Sequence, residues 1–288
     1  MRRFALFFLP WLLLACSSGA AQKPVVKPGT YDKTIAEGKL SRTYKLVVPK
    51  GYDGRHALPL VILLHGWTSN ADQILAITKF GDKADKESFF LAVPNGTAGI
   101  GQARGWNVGF LDLGAAGIDD VKFVSDILDA CERDLMVDSK RIYVTGHSNG
   151  AMLAHRIGAE LGKRIAAIAP VSGSVGMGQT LIGKPVAPVS VLIIHGDQDE
   201  TVAYDEKARA FLMSISAEKS AKFWADANSC TSAVQSRFGK NRLERWIGGK
   251  GDTQVEFITV AGGHHAWPTD PFNATDAIWD FFRMHPKP

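Results

Sequence analysis

Arg141-Ile142-Tyr143-Val144-Thr145-Gly146-His147-Ser148-Asn149-Gly150-Ala151-Met152 changes character at its centre. Ile142, Tyr143 and Val144 are β-branched or aromatic and read as a short buried strand, whereas Ala151 through Ile157 are mostly helix formers with apolar residues at helical spacing. Between them Gly146-His147-Ser148-Asn149-Gly150 is a G-x-S-x-G. At a strand-to-helix junction this pattern predicts a sharp, strained turn that presents the serine hydroxyl at the mouth of a sheet, with the two glycines permitting the turn. Ser148 is therefore the candidate nucleophile. A serine in an ordinary glycine-rich turn is the plain alternative, and the flanking strand and helix argue against it.

A serine hydroxyl is a weak nucleophile at neutral pH and needs a base, which in turn needs a group to orient it. Both are available downstream, in the order acid then histidine. Val189 through Ile194 reads as a buried strand and opens onto His195-Gly196-Asp197-Gln198-Asp199-Glu200. Val255 through Val260 alternates as a strand and opens onto Ala261-Gly262-Gly263-His264-His265-Ala266-Trp267-Pro268. Loops beyond strand ends are where open α/β sheets place their sites. Spacing alone leaves the acid open among Asp197, Asp199 and Glu200, and the base open between His264 and His265. The further ligands that a metal at the histidine pair would need are not visible nearby. Upstream, Leu60 through Leu64 is an apolar strand entering His65-Gly66-Trp67. The main-chain N–H groups of Trp67 and Asn149 are the expected oxyanion donors, one from this loop and one from the residue after the nucleophile.

These segments, together with Gly105-Trp106-Asn107, Asp119-Asp120-Val121 and Ala169-Pro170-Val171-Ser172-Gly173, make the chain resemble a family of extracellular esterases. It joins polyhydroxybutyrate depolymerases with feruloyl and acetylxylan esterases, and the likeness covers most of the chain after about Thr30. The resemblance implies an α/β-hydrolase fold, with a mostly parallel central sheet and helices on both faces. It implies that the acid closes H-G-x-x-D, which is Asp199, and that the base opens H-x-W-P, which is His265. It also implies a serine carboxylic-ester hydrolase with no metal or cofactor. Its ester substrates would be feruloyl or acetyl esters of oligosaccharides, or oligo-hydroxyalkanoates. A serine peptidase on the same fold and a non-catalytic envelope binding protein are the rival readings.

Around this centre the chain reads as one domain, residues 30–288. Its 45% hydrophobic and 22% charged composition is that of a globular core, and a formal charge of +4, which counts Arg2 and Arg3, gives no footprint for nucleic acid. Residues 1–15 read as an export signal: a basic start, then the apolar run Phe4 to Leu14. Leu13-Leu14-Ala15-Cys16 resembles a bacterial lipobox, so Cys16 is the expected lipid attachment site and an outer-membrane lipoprotein the expected location. A secretory signal cut near Ala20 or Ala21 is the alternative. Residues 16–29 would then be a flexible tether to the membrane.

Tyr31 to Val48 reads as an edge hairpin, helices are expected around Tyr204 to Ile215 and from about Asn273 to Met284, and the segment Lys219 to Ala227 is expected to cover the sheet. Cys131 shares a helical face with Val124, Ile127, Leu128 and Leu135 and reads as a core thiol, while a bridge to Cys230 is the less favoured reading. Asp119 and Asp120 read as carboxylates at a helix start, stabilised by its dipole. The glycine-rich stretch 96–117 reads as a cleft wall. Trp106 and Trp267, with Trp67, are the candidate cleft aromatics, and Trp224 is the candidate core indole.

Overall fold

The computed structural model describes residues 26–99, 102–109, 117–176, 185–206 and 214–288. Residues 1–15, Cys16 and most of the tether lie outside these, as do part of the glycine-rich stretch 96–117 and most of the helix expected around Tyr204 to Ile215. Among the described residues ten strands form one sheet. In chain order they are β1 (Gly29–Glu37), β2 (Leu40–Val48), β3 (Leu58–Leu64), β4 (Phe90–Pro94), β7 (Val137–His147), β8 (Ala167–Val171), β9 (Ser190–Gly196), β10 (Ser232–Phe238), β11 (Asn241–Ile247) and β12 (Val255–Val260). Two further short strands, β5 (Thr97–Ala98) and β6 (Arg104–Gly105), pair only with each other. The sheet order is β1-β2-β4-β3-β7-β8-β9-β12-β11-β10. From β4 to β12 every pairing is parallel, and an antiparallel hairpin flanks this block at each end.

The parallel strands are continuous apolar runs because both faces of the sheet are covered. Along β3, Leu60, Ile62 and Leu64 pack with residues of α3 (Asp120–Asp134), α4 (Asn149–Glu160) and α5 (Ala217–Asn228). Val61 and Leu63 face the opposite way, towards α1 (Ala71–Thr78), α2 (Phe80–Glu87) and α6 (Ala274–Met284). This is the period-two alternation of a strand read against two helical layers. The expected α/β-hydrolase architecture, the edge hairpin β1–β2 and the terminal helix α6 are all present, and the covering segment Lys219 to Ala227 lies within the helix α5.

Other expectations meet a more detailed outcome. Cys131 is buried on α3 as read, and both it and Cys230 are free thiols. Trp224 is fully buried and donates its indole N–H to His155 Nδ1 at 2.9 Å. Asp119 caps α3, accepting the Val121 and Lys122 N–H groups at 3.1 Å. Asp120, in contrast, turns inward with no exposure and pairs with Arg42 on β2 at 2.6 Å. The Arg42 guanidinium also lies 3.9 Å over the Phe123 ring and reaches Glu37 at 3.2 Å. A buried, fully partnered arginine of this kind fastens the edge hairpin to the start of α3.

Candidate active site

Ser148 sits between β7 and α4 with φ 55° and ψ −119°, a backbone conformation that costs a non-glycine residue energy and is held by its surroundings. Its N–H donates to the Val171 carbonyl at 2.9 Å, which fixes the turn against β8. The glycines on either side act differently from the sequence expectation. Neither Gly146 nor Gly150 has a positive φ, so the strain falls on Ser148 itself. What the glycines supply is close approach. A Cβ at Gly150 would lie 2.4 Å from the His65 carbonyl oxygen and 2.6 Å from that of Leu64, and one at Gly146 would lie 2.8 Å from Leu64 Cβ. The end of β3 thus packs directly on the turn, and a Cβ at Gly66 would stand only 3.4 Å from Ser148 Cβ. The segment holding Trp67 therefore passes beside the serine.

That segment is fixed from behind by His65, which is fully buried. Its Nδ1–H donates to the Gly66 carbonyl at 2.7 Å, and its Nε2 accepts the Gly96 N–H at 2.9 Å. This pattern requires the neutral imidazole, and burial lowers the pKa of His65 to about 4. The Trp106 indole N–H donates to the His65 carbonyl at 2.7 Å, and the two rings lie 4.7 Å apart. The Trp106 main-chain N–H donates to Asn149 Oδ1 at 2.8 Å, while the next residue, Asn107, donates its N–H to Asp120 at 2.7 Å. Trp106 is thus a core brace for both sides of the serine turn and lines no cleft. Trp267 is likewise buried, donating its indole N–H to Thr275 and packing edge-on against Phe80. Of the three candidate cleft indoles only Trp67 is exposed, at 45%. Sequence reasoning ranks all three alike because an indole pattern does not say which way the ring turns.

The loops after β9 and β12 give the neighbouring residues different contacts. Asp199 is buried and lies 2.9 Å from His265 Nδ1, and His265 Nε2 lies 2.8 Å from Ser148 Oγ. Asp197 instead accepts the Gly262 N–H at 2.7 Å, holding the two loops together, and Glu200 is exposed. His264 is also exposed, whereas the His265 side chain retains 21% of its surface. A Cβ at Gly196 would fall 2.1 Å from the Gly263 carbonyl oxygen, so only glycine allows the acid and histidine loops to touch. Ser172, after β8, donates to the Ala266 carbonyl at 3.1 Å and supports the histidine loop from the other side.

Burial by itself would raise the Asp199 pKa. Hydrogen bonds from His195, His265 and the Val202 N–H outweigh it and hold the carboxyl well below the ordinary carboxylate range. His195, which the sequence shows only as the first letter of its motif, is therefore a second partner of the acid. Its Nε2 lies 3.3 Å from Asp199 and 3.0 Å from the Val202 carbonyl.

Two more histidines, half-buried His147 and fully buried His155, stand near this centre. Burial first, and the neighbouring His265 second, lower the pKa of His147 to about 4, and burial lowers that of His155 to about 3. All three lowered values imply that the unfolded chain binds protons before the folded one as pH falls. The stability that these neutral rings contribute is therefore fully present above about pH 6.5 and is lost as pH falls through about 4 for His65 and His147 and about 3 for His155. The thermal midpoint should fall progressively over this window, ahead of general carboxylate protonation. A midpoint unchanged between pH 6.5 and 4.5 would contradict the neutral, buried state of these rings.

The sheet order, the strained serine after β7 and the serine, aspartate and histidine brought together from three loops define an α/β-hydrolase. Residues 42–208, more than half of the chain, match the model of the esterase PHB depolymerase family, and the chain belongs to that family. It is a carboxylic-ester hydrolase. Among characterised relatives, a bifunctional acetylxylan esterase/xylanase of Neocallimastix patriciarum is 29% identical over 148 residues, which are 51% of this chain and 20% of that protein. The chain thus spans a fifth of that relative. A feruloyl esterase C of Emericella nidulans is 25% identical over 272 residues, covering 93% of this chain and 91% of that one. In fold, an acetyl xylan esterase from Aspergillus awamori superposes with a TM-score of 0.66 at 14% identity, over 88% of this chain and 99% of that one. A ferulic acid esterase from Anaeromyces mucronatus, solved with ferulic acid, gives 0.56 at 16%, over 92% and 93%.

Proposed function

We propose that Ser148, His265 and Asp199 form the catalytic triad of an acyl-enzyme mechanism. The observation that carries the reading is the continuous hydrogen-bonded line from Ser148 Oγ to His265 Nε2 at 2.8 Å and from His265 Nδ1 to Asp199 at 2.9 Å. With Nδ1–H donated to the carboxylate, Nε2 keeps its lone pair for the serine proton. Ser148 Oγ attacks the ester carbonyl carbon as its proton passes to His265. The oxyanion is met by the main-chain N–H groups of Asn149 and Trp67, fixed donors of a kind worth about 100- to 1000-fold in turnover each. As the tetrahedral intermediate collapses, the imidazolium hands its proton to the departing alcohol oxygen, leaving the acyl group on Ser148. A water molecule, deprotonated by His265, then attacks the acyl carbon, and Ser148 Oγ leaves with the returned proton as the acid is released.

The acyl group proposed is feruloyl or acetyl on an oligosaccharide, with an oligo-hydroxyalkanoate as the second substrate class. The names of the feruloyl and acetylxylan esterase relatives, and the near full-length match to the feruloyl esterase, support the first. The protein would act outside the cytoplasm, exported by residues 1–15 and anchored through lipid on Cys16, with several acyl chains giving stable attachment at roughly 0.8 kcal/mol per buried CH₂. Initial rates on methyl ferulate, acetylated xylan and a hydroxybutyrate trimer, with intact-mass capture of the acyl adduct, test the reading. An adduct mapping to the Ser148 peptide is expected, with a strong preference for one substrate class. Hydrolysis without any adduct, or an adduct elsewhere, would overturn the acyl-enzyme on Ser148.

A further inference from the structure

The chemistry of the triad places the two halves of an ester on different sides of Ser148. The donors at Trp67 and Asn149 take the carbonyl oxygen, and His265 must reach the leaving oxygen to return its proton. The alcohol half therefore extends along the loop that carries His265. That loop leaves β12 at the same edge of the sheet as the loops of Ser148 and Asp199, since β7, β9 and β12 point the same way. β11 runs antiparallel to β12 and starts at this edge, so the tip of the β10–β11 hairpin, Phe238 to Asn241, stands beside it. Asn241 fastens the two together by accepting the Ala261 N–H at 3.1 Å.

Between the hairpin tip and the segment after His265 is a cavity of about 540 Å³. Phe238, Lys240, Val260, Pro268, Asp270 and Phe272 line it. Its size is that of a small-molecule site, for which about 300–1,000 Å³ is usual. Val260 and Pro268 flank the His265 loop on either side, so the cavity borders that loop at both ends. The Phe238 and Phe272 rings lie 5.6 Å apart, and Phe238 keeps 37% of its surface exposed. Paired rings offer a surface for the C–H face of a sugar, while Lys240 and Asp270 offer a donor and an acceptor to its hydroxyls. None of Ser148, Asp199 and His265 lines the cavity, so a small ester held at Ser148 does not fill it, whereas an oligosaccharide ester extends beyond the triad along the His265 loop.

We propose that this cavity is an alcohol-side subsite that binds a glycosyl unit of the ester's oligosaccharide. The inference rests on the triad reading above. Its test compares Phe238→Ala and, as a change confined to the exposed hairpin tip, Lys240→Gln, each assayed on p-nitrophenyl acetate, a feruloylated oligosaccharide and a hydroxybutyrate trimer. The expected result is a fall of about fivefold to tenfold in the ratio of kcat/KM on the oligosaccharide ester to that on p-nitrophenyl acetate, through KM, for Phe238→Ala. A smaller fall in the same ratio is expected for Lys240→Gln. An unchanged ratio in both variants would overturn the subsite. A selective loss on the hydroxybutyrate trimer would overturn its sugar assignment and give it to a polyester chain. If the unaltered protein hydrolyses none of the three, the fault lies with the triad reading and not with the cavity.

Discussion

Ser148→Ala is expected to lower kcat roughly a millionfold while leaving the thermal midpoint and the circular dichroism spectrum of the folded protein in place. The magnitude follows from what the side chain does in the mechanism proposed: without Oγ there is no covalent intermediate, and only the oxyanion donors and substrate positioning remain. His265→Ala is expected to match it, and the double variant to be no worse than either, because a nucleophile without its base and a base without its nucleophile fail at the same step. His264→Ala should fall short of both by orders of magnitude, since that ring is exposed and the Ser148 contact belongs to its neighbour. Initial rates on one soluble ester decide all four. A fully active Ser148→Ala would remove the mechanism, and a severe His264→Ala with a mild His265→Ala would move the base by one residue.

The second large effect concerns stability. Gly150→Ala adds one methyl group where the nearest atoms are the backbone oxygens of His65 at 2.4 Å and Leu64 at 2.6 Å. Neither can swing aside as a flexible side chain would, so β3 and the start of α4 must separate. A cost of about 3 kcal/mol or more is expected, in the range of severe core overpacking. Activity should fall with it, because the same displacement moves the segment of Trp67 away from Ser148. Gly81→Ala on α2 is the control. There the nearest atom to the added methyl is a leucine Cδ2 at 3.9 Å, and helix propensity favours the change by up to about 1 kcal/mol. Equal midpoints for the two variants would refute the close-approach account of the elbow glycines.

The readable and unreadable parts of the molecule divide along physical lines. β3, β4, β7, β8 and β9 are buried on both faces, so their apolar runs stand out in the chain and their order yields the fold class. The candidate site was legible as three motifs in sequence order, but only the family likeness separates Asp199 from Asp197 and His265 from His264. In space the distinction is made by which carboxylate turns inward. β10 could not be read because it is exposed along its whole length and so carries no alternation of apolar and polar residues. α2 is similar, its Phe80-Gly81-Asp82-Lys83-Ala84-Asp85-Lys86-Glu87 burying only Phe80 and Ala84. Asp120 follows another aspartate at a helix start, where a dipole role explains both. Its actual partner, Arg42, is 78 residues earlier and leaves no local trace. The inward turn of Trp106 depends on a carbonyl 41 residues away and is equally silent.

The arrangement of the strands also bears on when the protein becomes active during folding. Ser148 and His265 are 117 residues apart in the chain, and His265 and Asp199 are 66 apart. Their loops meet only after β9 has joined β8 and β12 has joined β9, each a parallel pairing that closes a long loop of chain first. A half-assembled sheet ending at β8 would hold the contact of the Ser148 N–H with the Val171 carbonyl, yet it would lack Asp199 and His265, the proposed acid and base. Under the proposed triad, hydrolysis thus requires β9 and β12 to be in place, and the appearance of activity marks the pairing of β12 with β9.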